Sequence, residues 1–159
     1  MTDENNYSKR ALEGKNNFLK GYNCSQSVAL AFADLVNIDK DTLLKAASCY
    51  GGGMGRLREV CGTFSGVLLI EGLILGYSSP EDRGAKAALY AKIQLLAKKF
   101  KQTNGSIVCR ELLSGVPHTD GGAPEERTPE YYKRRPCADL VAKAVQILEQ
   151  HLQEQGIQT

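Results

Sequence analysis

The stretch Glu59–Leu75, EVCGTFSGVLLIEGLIL, decides the fold. From Val60 on it is apolar nearly all round, broken by glycines and by the single carboxylate Glu71. A helix that is apolar on every side is buried in the middle of a larger protein or crosses a membrane. The longest apolar run here, Gly66–Tyr77, is too short to cross a bilayer and contains Glu71. The stretch therefore reads as the central, buried helix of a bundle. It starts near Glu59 and ends at Gly76. Gly62 and Gly66 lie four residues apart and mark a face where another backbone can come close.

The sequence on either side supplies amphipathic partners for that helix. Tyr7–Lys20 reads as a helix closed by Gly21, and Asn23 caps a second one with Val28, Ala31, Phe32 and Leu35 as its stripe. Asp39 or Asp41 opens a third, through Leu43, Leu44 and Ala47. On the far side, Ser79 as cap and Pro80 in the first turn open the longest helix, with Ala85, Leu89, Ile93, Leu96, Ala97 and Phe100 on one face. Ser106 caps a short helix through Ile107, Val108 and Leu112. The last helix opens at Pro136 and carries Leu140, Val141, Ala144, Leu148 and Leu152; His151 reads as solvated. No strand pattern of period two is present. The reading is all-α, a compact bundle of about six to seven helices in one domain over residues 1–159.

Residues 114–136 are rich in glycine, proline and charge and read as a long loop with one turn near Pro129–Tyr132. Loops of that length in compact domains are usually functional. This one is expected to be a cover or a partner surface.

Composition narrows the function. Net charge is +2 over 159 residues, too small to imply a nucleic-acid or membrane partner. The N-terminal stretch MTDENNYSKR has no apolar core of a secretory signal, so a cytoplasmic location is expected. In that compartment five cysteines do not make a disulfide framework.

Four of the five fall at expected helix N-termini: Cys24 after the cap Asn23, Cys61 in the first turn of the central helix, Cys109 one turn into the helix opened by Ser106, and Cys137 after Pro136. Free N–H groups and the positive end of a helix dipole favour an anion there. The expectation is lowered thiol pKa values, with raised reactivity or metal affinity. Cys49, near a helix C-terminus, reads as a core residue. The run Gly51-Gly52-Gly53-Met54-Gly55-Arg56 permits backbone turns closed to other residues and can present N–H groups, with Arg56, to sulfur or to a small anion. It matches no nucleotide-binding glycine motif. No CxxC pair is present, so any site is assembled by tertiary folding.

The order GYNCSQSV, YGGGMGR, CGTFSG, SIVCREL and a Pro-Cys that opens the last helix resembles the C_GCAxxG_C_C family, small bacterial and archaeal proteins for which redox activity is expected. The resemblance runs from about Gly21 to the end of the last helix. It implies that Cys24, Cys61, Cys109 and Cys137 are the functional cysteines, with Gly51 to Gly55, Arg56, Gly62 and Gly66 supporting them. Thr63 stands where the family has alanine. The family is also similar to the C-terminal part of split-Soret cytochrome c, which has a non-haem iron centre; no C-x-x-C-H for covalent haem occurs here.

Three functions follow from these residues. Four thiolates suit an iron-sulfur cluster for electron transfer, with zinc as the less favoured occupant. The same thiols without metal suit dithiol–disulfide cycling. A non-catalytic helical interaction module with structural cysteines is the alternative from another class. A carrier of electrons needs a redox partner protein, which the sequence does not identify, and the glycine-rich faces permit a homodimer. Glu71 reads as reaching the bundle edge or pairing with Lys or Arg, and His118 as an exposed loop residue.

Overall fold

A computed structural model describes residues 4–159; the first three residues of the polar N-terminal stretch lie outside the described residues. Helix α1 (Lys9–Leu19) starts where the Ser8 hydroxyl accepts from the Ala11 N–H. Gly21, at φ 108°, reverses the chain. Helix α2 (Cys24–Ala31) opens on a reciprocal cap: the Asn23 side chain accepts from the Gln26 N–H, and the Gln26 side chain accepts from the Asn23 N–H. Asp39 caps α3 (Lys40–Ser48).

The glycine run forms the short turn α4 (Gly51–Met54), which is not an ordinary helix. Gly52, Gly53, Met54, Gly55 and Arg56 all have φ between 62° and 72°, and Arg58 follows at 60°. Consecutive left-handed residues are rare because the β-carbon crowds the next carbonyl, at about 1–2 kcal/mol per residue. Glycine removes that penalty at three of the five positions, so the sequence makes the turn affordable only here.

Helix α5 (Gly62–Leu75) is the centre of the bundle and packs against α2, α4, α6 (Arg83–Asn104) and α9 (Cys137–Glu154). Its residues Gly62–Val67, Ile70 and Glu71 are buried, whereas Gly72 and Leu73 face solvent. The expectation of burial all round thus holds for the first half. Two short helices, α7 (Cys109–Leu112) and α8 (Pro129–Arg134), complete the structure, and α1 lies along α9. The core is a continuous set that includes Phe18, Val28, Phe32, Leu43, Ile70, Leu96, Phe100 and Leu148. The fold is all-α, as the sequence pattern indicates.

Several boundaries differ from the sequence reading, each for a local reason. Helix α5 starts at Gly62 rather than near Glu59 because residues 58–61 pair with 107–110. The Cys61 N–H donates to Ile107 O at 2.7 Å, the Cys109 N–H to Glu59 O at 2.6 Å, and the Arg110 N–H to Arg58 O at 3.1 Å. This antiparallel bridge, centred on Val60 and Val108, also delays α7 to Cys109; Ser106 instead accepts from the Val108 N–H. Helix α6 is capped by Asp82, which accepts from the Ala85 N–H, and not by Ser79. An ionised carboxylate suits a helix N-terminus better than a hydroxyl does. Only Leu96 and Phe100 of the α6 stripe are buried, both in the second half of the helix.

His151 is fully buried, not solvated: it lies three residues beyond Leu148 and so continues the buried stripe of α9. Its Nε2 lies 3.1 Å from Oε1 of Glu71, which is equally buried. Cys49 is exposed, not in the core, because α3 ends at Ser48 and turns its C-terminus outward. No helix among the described residues is long and apolar enough to cross a membrane.

Candidate functional site: a cavity lined by four cysteines

Cys24 is the first residue of α2, Cys61 the N-cap of α5, Cys109 the first residue of α7 and Cys137 the first residue of α9. The fold aims these four starts at one place. All four cysteines line a single cavity of about 300 Å³, and all are free thiols. Cys24, Cys61 and Cys109 are buried and Cys137 is half-buried. Cys49 takes no part in the cavity lining.

Missing β-carbons make the gathering possible. The Cys24 sulfur lies against Gly62, where a β-carbon would overlap it. A β-carbon on Gly53 would stand 2.5 Å from Cys109 Cβ. Gly51, Gly52, Gly55 and Gly62 line the cavity together with Arg56. Gly53 and Gly66 do not line it. Gly53 supports Cys109 from behind, and Gly66 lets α2 approach, with Ser25 O and Val28 Cβ each 2.9 Å from where its β-carbon would be. Thr63, in place of the family's alanine, puts its hydroxyl 3.2 Å from the Cys61 sulfur.

Residues 113–128, between α7 and α8, cross the cavity as a strap that contributes Gly122, Pro124, Glu125 and Arg127 to its wall. Arginines hold the strap down. Arg56 donates to Gly121 O at 2.7 Å and to Thr119 O and Oγ1 at 2.8 and 2.9 Å. Its Nε and Nη2 are thus engaged with the strap, while the residue lines the cavity beside the glycines. Arg127 stacks 4.2 Å from the Phe18 ring centre and donates to Phe18 O and Tyr22 O. Arg135 pairs with Glu125. His118 sits on the strap, half-buried, 3.7 Å from Asp120.

Sequence reasoning missed Arg58, Arg127 and Arg135. Arg58 is 6% exposed, lines the cavity, and faces the Cys109 sulfur with Nη1 at 3.9 Å while Nη2 donates to Thr119 O at 2.7 Å. The clue available was RLR directly after the glycine run; the left-handed backbone that turns Arg58 inward has no sequence signature.

For Cys24, Cys61 and Cys137 the surroundings raise the thiol pKa, against the expectation of lowered values. Burial pushes the Cys61 and Cys137 thiols up to about 12, with the neighbouring sulfur of Cys24 adding to each. Burial pushes Cys24 up as well, and the N–H groups of Gly52, Ser25 and Cys24 facing its sulfur oppose this only in part. Removing a thiolate from water outweighs the helix N-terminus.

This donor set fits some metals better than others. Among the described residues no three of His, Cys, Asp or Glu converge closely enough to hold one metal ion. A multi-iron cluster spreads its ligands over several metals, and four cysteines at the rim of a common cavity suit that donor arrangement.

Fold and site together define a class: small all-α proteins in which four separate helix starts deliver cysteines to one cavity. Residues 22–151 match the family model described as "Putative redox-active protein (C_GCAxxG_C_C)", and the chain belongs to that family. It is 28% identical over 140 residues to an "Uncharacterized protein" of Archaeoglobus fulgidus, covering 84% of this chain and 86% of that one. No solved structure matches.

Proposed function

We propose that the cavity holds an iron-sulfur cluster ligated by Cys24, Cys61, Cys109 and Cys137 and that the protein carries electrons. The observation that supports this reading is the convergence of four free thiols from four different elements on one cavity of about 300 Å³. When bound, such a cluster supplies one-electron transfer.

The chain's own residues prepare the place. Gly52, Ser25 and Cys24 direct N–H groups at the Cys24 sulfur. The Thr63 hydroxyl meets Cys61, and Arg58 meets Cys109. Hydrogen bonds and positive charge at ligating sulfurs favour the reduced state. Thiol–disulfide cycling with a protein partner calls for accessible, acidic thiols, and burial makes Cys24, Cys61 and Cys137 the opposite. An electron carrier acts with a partner redox protein.

The test is anaerobic purification followed by iron and sulfide analysis and a visible spectrum. The reading expects a coloured protein whose iron is lost when any of Cys24, Cys61, Cys109 or Cys137 becomes alanine and kept in Cys49→Ala. Colourless protein that takes up no iron on reconstitution, with cysteine pairs that oxidise and reduce reversibly, would replace it with redox-cycling thiols.

A further inference from the structure

The charge of the cavity lining is unbalanced. Arg56, Arg58, Arg127 and Arg135 line it against one carboxylate, Glu125, which is committed to Arg135. Arg56 and Arg127 satisfy strap and helix-end carbonyls. Arg58 differs from the others. It is buried, its Nη2 is occupied by Thr119 O, its Nη1 faces only the weak acceptor Cys109 sulfur, and its Nε is buried with no hydrogen-bond partner. The nearest carboxylate is that of Asp120, 3.7 Å from Nε and 78% exposed, outside hydrogen-bond range. A guanidinium carries a fixed positive charge, and the loose ion pair with solvent-exposed Asp120 compensates a buried charge only weakly.

From this we infer that the cavity is built for an anionic occupant and that Arg58 is the residue that recognises it. A guanidinium in the wall of a partly apolar cavity matches an oxoanion or carboxylate group, and equally the negative charge of a cysteine-ligated cluster. The rest of the lining is compatible with a small body: Phe18, Leu113, Tyr131 and Leu140 supply apolar walls, and about 300 Å³ is at the lower end of the range for small-molecule sites. The left-handed φ of 60° at Arg58 fits the same purpose, because backbone strain of this kind collects where a side chain must be aimed.

The inference stands on the charge of the cavity and not on iron, so it can survive the failure of the cluster reading. The test follows iodoacetamide labelling of Cys109 by mass spectrometry, with exposed Cys49 as internal reference, in reduced full-length protein at fixed ionic strength. One arm adds sulfate or benzoate to metal-free protein, with benzamide as the neutral control. The other reconstitutes with iron and sulfide and times iron loss to a chelator. A free anion as occupant gives at least threefold slower Cys109 labelling with sulfate or benzoate and none with benzamide, an effect lost in Arg58→Gln and partly kept in Arg58→Lys. A cluster as occupant gives iron uptake that protects Cys109, and iron loss at least tenfold faster in Arg58→Gln than in Arg58→Lys. The inference is overturned if neither the anions nor iron loading slows Cys109 labelling in the unmutated protein, a result that needs no variant to fold. It is equally overturned if a folded Arg58→Gln protein behaves as the unmutated one in both arms.

Discussion

The Cys24 sulfur rests on the α-carbon of Gly62, the first residue of the central helix, with no room for a β-carbon between them. The contact joins the starts of α2 and α5 and sets how closely two of the four cavity cysteines approach. Gly62→Ala is expected to force the two helices apart, since the new carbon would also lie 2.7 Å from Tyr50 O. Overpacking of this kind costs about 1–3 kcal/mol. Gly72→Ala in the same helix is the control. Nothing lies within 4 Å of its β-carbon position, and alanine should stabilise the helix by roughly 0.5–1 kcal/mol. Urea unfolding of the two variants should shift in opposite directions.

The Glu71–His151 pair predicts a second contrast. Both side chains are fully buried at 3.1 Å, and Glu71 Oε2 and His151 Nδ1 have no hydrogen-bond partner. Removing one member leaves the other's polar atoms alone in the core, at about 3–5 kcal/mol. Glu71→Leu and His151→Leu are each expected to destabilise on that scale, and the double variant by much less than their sum. A double-mutant cycle by urea unfolding measures the coupling. Strict additivity would mean that the contact contributes nothing of its own.

That pair also shows where the sequence stops being informative. The caps at Asn23 and Asp39, the cysteines at helix starts and the close-approach face of Gly62 and Gly66 all follow from local chemistry, and the structure has them. His151 belongs to the buried stripe by spacing, yet its polarity argues for solvent, and only a partner 80 residues away in sequence settles the conflict. The bridge between residues 58–61 and 107–110 is likewise non-local, so the starts of α5 and α7 are displaced without any local signal. Arg58 is turned inward by a left-handed dihedral that arginine rarely adopts. For the thiols, the sequence shows the helix termini but not the depth of burial, and burial has the larger effect.

Burial of the thiols gives a pH prediction for the metal-free, reduced protein. Cys61 and Cys137 titrate at about 12 in the fold against an ordinary value of 9.0. The native state therefore keeps protons that the unfolded chain gives up above pH 9. The contribution to stability is fully present below that value and is lost as pH rises from 9 toward 12, by at most about 1.4 kcal/mol per pH unit for each thiol. Urea midpoints measured from pH 7 to 10.5 should be insensitive to these thiols up to about pH 8.5 and fall beyond. Cys61→Ala should show a shallower fall. An identical slope in the variant would mean that Cys61 does not hold its proton in the fold.

The strap makes the last prediction. Arg56 ties residues 119 and 121 to the glycine turn with three hydrogen bonds at an exposed edge. Arg56→Ala should free the strap without unfolding the bundle. Local opening and global unfolding are separate events, and proteolysis follows the population of the open form when reclosing is fast. Loss of about 1.4 kcal/mol of tethering corresponds to roughly tenfold faster cleavage. Thermolysin digestion should therefore cut near Leu113 and Val116 about tenfold faster in Arg56→Ala, with a urea midpoint close to that of the unmutated protein. Arg83→Ala, at the start of α6, should change neither. Equal cleavage rates would show that Arg127 and the Arg135–Glu125 pair hold the strap without Arg56, and that the glycine turn serves the cysteines alone.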